Sequence, residues 1–136
     1  MNQSFTKSKL LGFNPDASGS KAPEEKSGQA LYLALSYQRL ENLVFLELIR
    51  RGYTVSIGKI NNLEIDFIAT KPTEKIYVQV SASVQSEATR QREFLPLEKL
   101  TDNYPKYVVT MDTTIYNDYN GIKIMNIVDF LLNTNN

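Results

Sequence analysis

Two segments decide the fold: Leu63-Glu64-Ile65-Asp66-Phe67-Ile68-Ala69 and Ile76-Tyr77-Val78-Gln79-Val80-Ser81, separated by Lys71-Pro72-Thr73-Glu74. Both are rich in β-branched and aromatic residues, and the proline between them marks a turn. Together they predict an antiparallel hairpin. Alternation puts Val78 and Val80 on one face of the second segment and Gln79 and Ser81 on the other. Glu64 and Asp66 likewise share a face of the first. Thirteen residues separate Asp66 from Gln79, a spacing that a short hairpin brings side by side.

Upstream, Leu40, Leu43, Val44 and Leu48 recur at helical spacing, with Leu33 and Tyr37 before them, and predict a helix over 29–51. Arg50 and Arg51 suit the negative end of that helix, and Gly52 suits the position after it. Glu41 and Glu47 belong to the helix, Glu47 as a solvated or salt-bridged residue. Tyr53 to Ile57 reads as a strand and Gly58 to Asn62 as a turn. Downstream, Ser86 is an N-cap for a helix that Pro96 would end or kink, with Leu97 to Leu100 continuing it. Tyr107 to Met111 and Ile122 to Met125 read as strands, 112–121 as a loop, and Ile127 to Leu132 as a short helix. A fourth strand returning after a helix implies a mixed sheet, so the fold class is α/β, a three-layer sandwich. Residues 1–29 are rich in Ser, Lys, Asn, Gly and Pro and read as a lead-in, with 30–136 as the domain. Ala22-Pro23-Glu24-Glu25-Lys26 within it could open a short helix.

Composition narrows the chemistry. Among 136 residues there is no cysteine and no histidine. Disulfides, thiolate metal sites, imidazole zinc sites and Ser-His-Asp catalysis are excluded. Any metal would be held by carboxylates and carbonyls, which suits Mg²⁺, Mn²⁺ or Ca²⁺. Fifteen basic residues balance fifteen acidic ones. That balance argues against tight autonomous nucleic-acid binding and leaves room for a local patch. No run of about 18 apolar residues exists to span a membrane. The polar N-terminus lacks a signal-peptide core, and a cytoplasmic location is expected.

A carboxylate site needs oxygen ligands converging from rigid elements. Glu41, Asp66 and Gln79 satisfy that requirement on paper. Helix, acidic second strand and third strand in this order resemble the PD-(D/E)XK superfamily, the restriction-endonuclease-like fold. The resemblance makes Glu41, Asp66, Gln79 and Ser81 the site positions, with Asp66 and Gln79 as ligands of a Mg²⁺ ion. The last position holds a lysine in that pattern, and here it is Ser81. A hydroxyl cannot stabilise transition-state charge as an ammonium does, a loss of about two to four orders of magnitude in rate.

A narrower resemblance rests on longer strings. Leu40-Glu41-Asn42-Leu43-Val44-Phe45-Leu46-Glu47-Leu48, Arg50-Arg51-Gly52-Tyr53, Glu64-Ile65-Asp66-Phe67, Tyr77-Val78-Gln79-Val80, Arg92-Glu93-Phe94-Leu95-Pro96-Leu97 and Asp102-Asn103-Tyr104-Pro105-Lys106 are similar to the C-terminal domain of a prokaryotic AAA-type ATPase family. That domain is of unknown function and restriction-endonuclease-like, and in it a residue other than lysine after the glutamine is common. The resemblance implies a catalytically impaired nuclease-like module that binds DNA, an ATPase domain or another protein partner. An active Mg²⁺-dependent DNA nuclease and a protein-interaction domain without nucleic-acid binding are the alternatives. The chain has no Gly-x-x-x-x-Gly-Lys-Ser/Thr phosphate loop, so it has no such ATP site, and it is expected to be a detached C-terminal domain.

Other residues have plainer expectations. Lys75 has the parity of Gln79 but lies about 13 Å along the strand. Arg90 could stabilise charge in place of the lysine, though it stays protonated and cannot act as a base. Lys59 or an arginine could pair with Asp66. Arg50 and Arg51 read as helix-end residues, with a phosphate contact as the alternative. Tyr116 and Tyr119 could stack on a base.

Overall fold

The computed structural model describes residues 25–113 and 118–132, with side chains from residue 35 onward and at 28 and 31. Helix α1 spans Glu25–Arg50 and is followed by strands β1 (Thr54–Ile60), β2 (Leu63–Lys71) and β3 (Glu74–Ser81). Helix α2 (Glu87–Glu98) leads to β4 (Lys106–Thr110), β5 (Asp118–Tyr119), β6 (Ile122–Asn126) and helix α3 (Ile127–Leu132). The six strands form one sheet in the order β1-β2-β3-β4-β6-β5. The β1-β2-β3 meander is antiparallel, β4 and β6 join it in parallel, and β5 is antiparallel to β6. The sheet is mixed, as expected, because α2 carries the chain from β3 to the start of β4.

Two apolar cores make three layers. Leu40, Val44 and Leu48 of α1 pack with Phe67, Val78, Val80 and Phe130 on one face of the sheet. Phe94 and Leu97 of α2 pack with Ile65, Tyr77, Val108 and Ile124 on the other. The alternation of β3 is as read: Val78 and Val80 lie in the first core and Tyr77 in the second.

Helix α1 starts at Glu25, four residues before the expected Gln29, and takes in Glu25 and Lys26 of the stretch that could open a short helix. The expected lead-in lies outside the described residues up to 24, as does the side chain of Leu33. The end of α1 is a Schellman motif. Tyr53 N–H donates to Leu48 O at 3.1 Å and Gly52 N–H to Ile49 O at 2.9 Å. Gly52 sits at φ 95°, the left-handed conformation that this cap needs. Tyr53 and Leu48 then meet in the same core.

Three expected boundaries move. The strand read over 53–57 runs on to Ile60, and its turn is only Asn61-Asn62, with Asn61 at φ 55°. Helix α2 passes through Pro96 to Glu98 rather than ending there. Pro96 is buried, so packing offsets the missing backbone donor. The stretch 112–121 is not all loop: Asp118–Tyr119 pairs with Tyr119↔Ile122 around Asn120-Gly121. Both turn residues have positive φ, 53° and 84°, as a two-residue hairpin of twist-matching hand requires.

The end of α1 is also tied to α3 by charge. Glu47, expected as a solvated or paired helix residue, is buried and paired. Its carboxylate accepts from Arg50 Nη2 at 2.6 Å and Arg51 Nε at 2.7 Å. Arg51 in turn donates to the Phe130 carbonyl and stacks 4.6 Å from the centre of the Phe130 ring. The Arg50 hydrogen bonds, with those of Arg51, outweigh the opposing effect of burial and hold the Glu47 carboxyl at about 2. A carboxyl lowered by folding stabilises the fold fully above the ordinary value near 4.5, and that stability is lost as pH falls toward 2. Glu47→Gln is therefore expected to cost about 2 kcal/mol at neutral pH and to flatten the acid limb of stability between pH 4.5 and 2, read by urea melts across pH.

Gly58 stands where β1 crosses Ile65 and Ile68. A Cβ there would lie 2.5 Å from Ile68 Cδ1 and 3.2 Å from Ile65 Cβ. Gly58→Val is expected to destabilise the domain by about 1–3 kcal/mol in chemical denaturation. A neutral result would show that β1 can shift away from β2.

Candidate functional site

The site is built on a break in β2. Ser56 pairs with Ile68 and Gly58 with Ile65, so Asp66 and Phe67 together oppose the single residue Ile57. This is a β-bulge, a device that re-aims a side chain. Its effect shows in the cores: Ile65 packs on the α2 face and Phe67, two residues on, packs on the α1 face. Regular alternation would have placed both on one face.

At the same point β2 and β3 part. Their register ends at Phe67↔Val78, and side chains replace the ladder beyond it. Val80 N–H donates to Asp66 Oδ2 at 2.7 Å. Asp66 N–H donates to Gln79 Oε1 at 2.6 Å. Each of the two side chains thus satisfies a backbone N–H of the other strand. Gln79 Nε2 also donates to Glu93 O of α2 at 3.0 Å, so both ends of the carboxamide are engaged.

Helix α1 closes the other side. Glu41 and Tyr37 are one turn apart and therefore share a face. The Tyr37 hydroxyl lies 3.4 Å from Glu41 Oε2 and 3.5 Å from Asp66 Oδ2, bridging helix and bulge by two long hydrogen bonds. Glu41 is 1% exposed, Asp66 0% and Gln79 1%. Burial pushes the Tyr37 phenol far up, and the carboxylates of Asp66, Glu41 and Glu93 push it further. Its proton is firmly held, so it is a donor to the carboxylates around it.

The structure therefore brings Glu41, Asp66 and Gln79 to one place. Ser81 follows on the same strand, also buried, and its hydroxyl donates to Ser83 O at 2.8 Å, closing the chain back on itself at the end of β3. Tyr37 and Glu93 were not singled out from the sequence. Tyr37 stands four residues before Glu41, so extending the helical face from Glu41 would have found it. Glu93 faces the site only because α2 docks as it does.

Other candidates fall elsewhere. Arg90, which could have stood in for the lysine, has its guanidinium on Glu87 and on the carbonyls of Val84 and Gln85 at the start of α2. Arg50 and Arg51 are helix-end residues engaged with Glu47. Lys59 stands opposite Glu64 in the register rather than opposite Asp66. The Tyr119 ring packs edge-on against Phe94 with centroids 4.9 Å apart, a core contact rather than a stacking platform. Tyr116 lies outside the described residues. Lys75 sits at the far end of β3 over the Tyr77 and Tyr104 rings, beside a cleft of about 510 Å³ walled by Tyr53, Tyr107 and Phe130. That cleft shares no residue with the acidic site.

Among the described residues no group of three His, Cys, Asp or Glu side chains is placed to hold a metal ion, and no helix is long and apolar enough to cross a membrane. No family model matches the chain. An uncharacterized protein of Haemophilus influenzae is 42% identical over 94 residues, which is 69% of this chain and 23% of that protein. The chain thus spans under a quarter of the length of the relative it matches.

The carboxamide of Gln79 is the part of the site most exposed to test. In Gln79→Glu the donor to Glu93 O is lost and a carboxylate is pressed against a carbonyl oxygen. The variant is expected to lose about 2–4 kcal/mol of stability at neutral pH. Part of the loss should be recovered as the pH is lowered and the new carboxyl takes up a proton, seen as a rise in melting temperature relative to wild type.

Proposed function

We propose that this chain is a restriction-endonuclease-like domain that does not cut, and that it serves as a cytoplasmic binding module for DNA or a protein partner within a longer AAA-type ATPase. One observation carries the reading. Glu41, Asp66 and Gln79 come together where β2 and β3 part, with Ser81 following on β3, and Asp66 Oδ2, both ends of the Gln79 carboxamide and the Ser81 hydroxyl bond the domain's own groups. Both ends of the Gln79 carboxamide are engaged within the domain, and the Ser81 hydroxyl is turned onto Ser83 O. Arg90, which could stabilise charge in place of the lysine, is held at the start of α2.

The acidic frame then works as a clamp, fixing α1 to the sheet and the sheet to α2. Binding would fall to the outer surfaces. With formal charges balanced, binding to DNA is expected to be weak and to fall steeply with salt.

Plasmid nicking and single-strand cleavage with Mg²⁺ and Mn²⁺ test the reading. The expected result is no turnover above that of Asp66→Ala. Turnover that Asp66→Ala abolishes would overturn it. Retention on DNA at low salt separates a DNA partner from a protein one.

A further inference from the structure

Helix α1 is apolar on two opposite faces. At about 100° per residue, Leu40, Val44 and Leu48 lie on one side and fill the first core. Leu31, Leu35, Leu46 and Ile49 fall on the other side, within an arc of about 60°, and Leu43 flanks them. These five side chains are between 44% (Leu31) and 60% (Leu46) exposed. Gly28 continues the same line, and a Cβ there would meet nothing within 4 Å. From Leu31 to Ile49 the charged residues are Arg39, Glu41 and Glu47, and both glutamates are buried. Arg39 is thus the sole charge on an outer face about 27 Å long. The outer face of a helix in a layered domain is ordinarily the charged one. Together the five side chains expose on the order of 400 Å² of apolar surface, a patch of the size that marks interaction sites.

The spacing along this face is nearly the same read in either direction. In two antiparallel helices, facing residues have position numbers of constant sum. A sum of 80 to 81 sets Leu35 against Leu46, Leu31 against Ile49 and Arg39 against Asn42. We infer that the outer face of α1 pairs with the same face of a second copy, the two helices antiparallel about a two-fold axis near residue 40. Such an interface is isologous, one patch meeting itself. The apolar line runs straight along the helix, which suits two helices crossing at a small angle. Parallel pairing would set Arg39 on Arg39 and Arg50 on Arg50 and would align the two helix dipoles. Antiparallel pairing opposes the dipoles and gives the Arg39 guanidinium the Asn42 carboxamide to bond. Asn42, on the line itself and exposed, is then the polar residue that fixes the register. Two copies would hide about 800 Å² of apolar surface. With a polar rim this reaches the lower end of stable interfaces, which fits a dissociable dimer. The pairing leaves the acidic site untouched, so it goes beyond the functional reading and stands whether or not the domain cuts.

Sedimentation equilibrium of the full chain tests this. A monomer–dimer equilibrium with a Kd of about 1–100 µM is expected. Leu46→Lys, a change at an exposed position, should weaken it at least about tenfold while the melt of the dilute protein stays unchanged. Leu35→Lys carries the same expectation should Leu46→Lys not fold. The chain has no cysteine, so introduced thiols report the geometry without background. A mixture of Leu35→Cys and Leu46→Cys chains should be joined by a short bis-maleimide. Leu46→Cys alone should not be, because its two thiols would stand roughly 16 Å apart along the helix axis. A chain that stays monomeric at about 200 µM overturns the inference, whether the rest of the chain covers the face or a different partner takes it. So does a dimer that Leu46→Lys and Leu35→Lys leave intact, or one in which Leu46→Cys copies join each other and not Leu35→Cys.

Discussion

The exchange of backbone hydrogen bonds between Asp66 and Gln79 is the constraint on which the centre of this domain depends. A bulge in β2 interrupts the regular ladder, and interrupted ladders leave buried N–H groups that must find acceptors. Asp66 Oδ2 takes the N–H of Val80, and Gln79 Oε1 takes the N–H of Asp66. The two strands can therefore separate without orphaning their backbones. Once they part, Phe67 turns to the α1 face while Ile65 stays on the α2 face. Both cores are filled from one strand on this account.

The same opening lets the two helical layers meet. Gln79 reaches α2 through the carbonyl of Glu93, and Asp66 reaches α1 through Tyr37, with Glu41 beside it. Burying carboxylates is costly unless hydrogen bonds compensate, and here backbone donors and a phenol provide them. A polar network of this kind rigidifies what it joins. A group of residues that reads as chemistry in the sequence can in this way act as architecture. The far end of α1 is held by a second, independent device, the Schellman cap at Gly52 with the Glu47-Arg51-Phe130 contacts. Helix α1 is thus pinned twice, about three to four turns apart, once to the bulge and once to α3.

The fold class, the meander, the crossover helix and the final helix were legible in the sequence because each follows from periodicity and local turn chemistry. Where boundaries moved, tertiary packing overrode a local signal. Gly58 reads as a turn residue, yet it continues β1 because its missing side chain makes room for Ile65 and Ile68. Pro96 reads as a helix end, yet α2 continues because Pro96 and Leu97 beyond it are buried. The Asn120-Gly121 hairpin was an available signal, obscured because its first strand is only two residues long.

For the site, the sequence by itself determined which polar residues lie on which elements: Glu41 on α1, Asp66 on β2, Gln79 and Ser81 on β3. It also determined that no histidine or cysteine can accompany them and that position 81 is a serine rather than a lysine. It could not determine that Asp66 sits in a bulge, because one added residue in a register leaves no mark on composition or period. Nor could it tell that Tyr37 and Glu93 belong with these residues, since they come from helices whose docking depends on both cores. Whether a carboxylate meets a ligand or a backbone N–H is a matter of ångströms between elements distant in sequence. Only the tertiary structure decided it, and it turned the polar groups of the acidic frame inward.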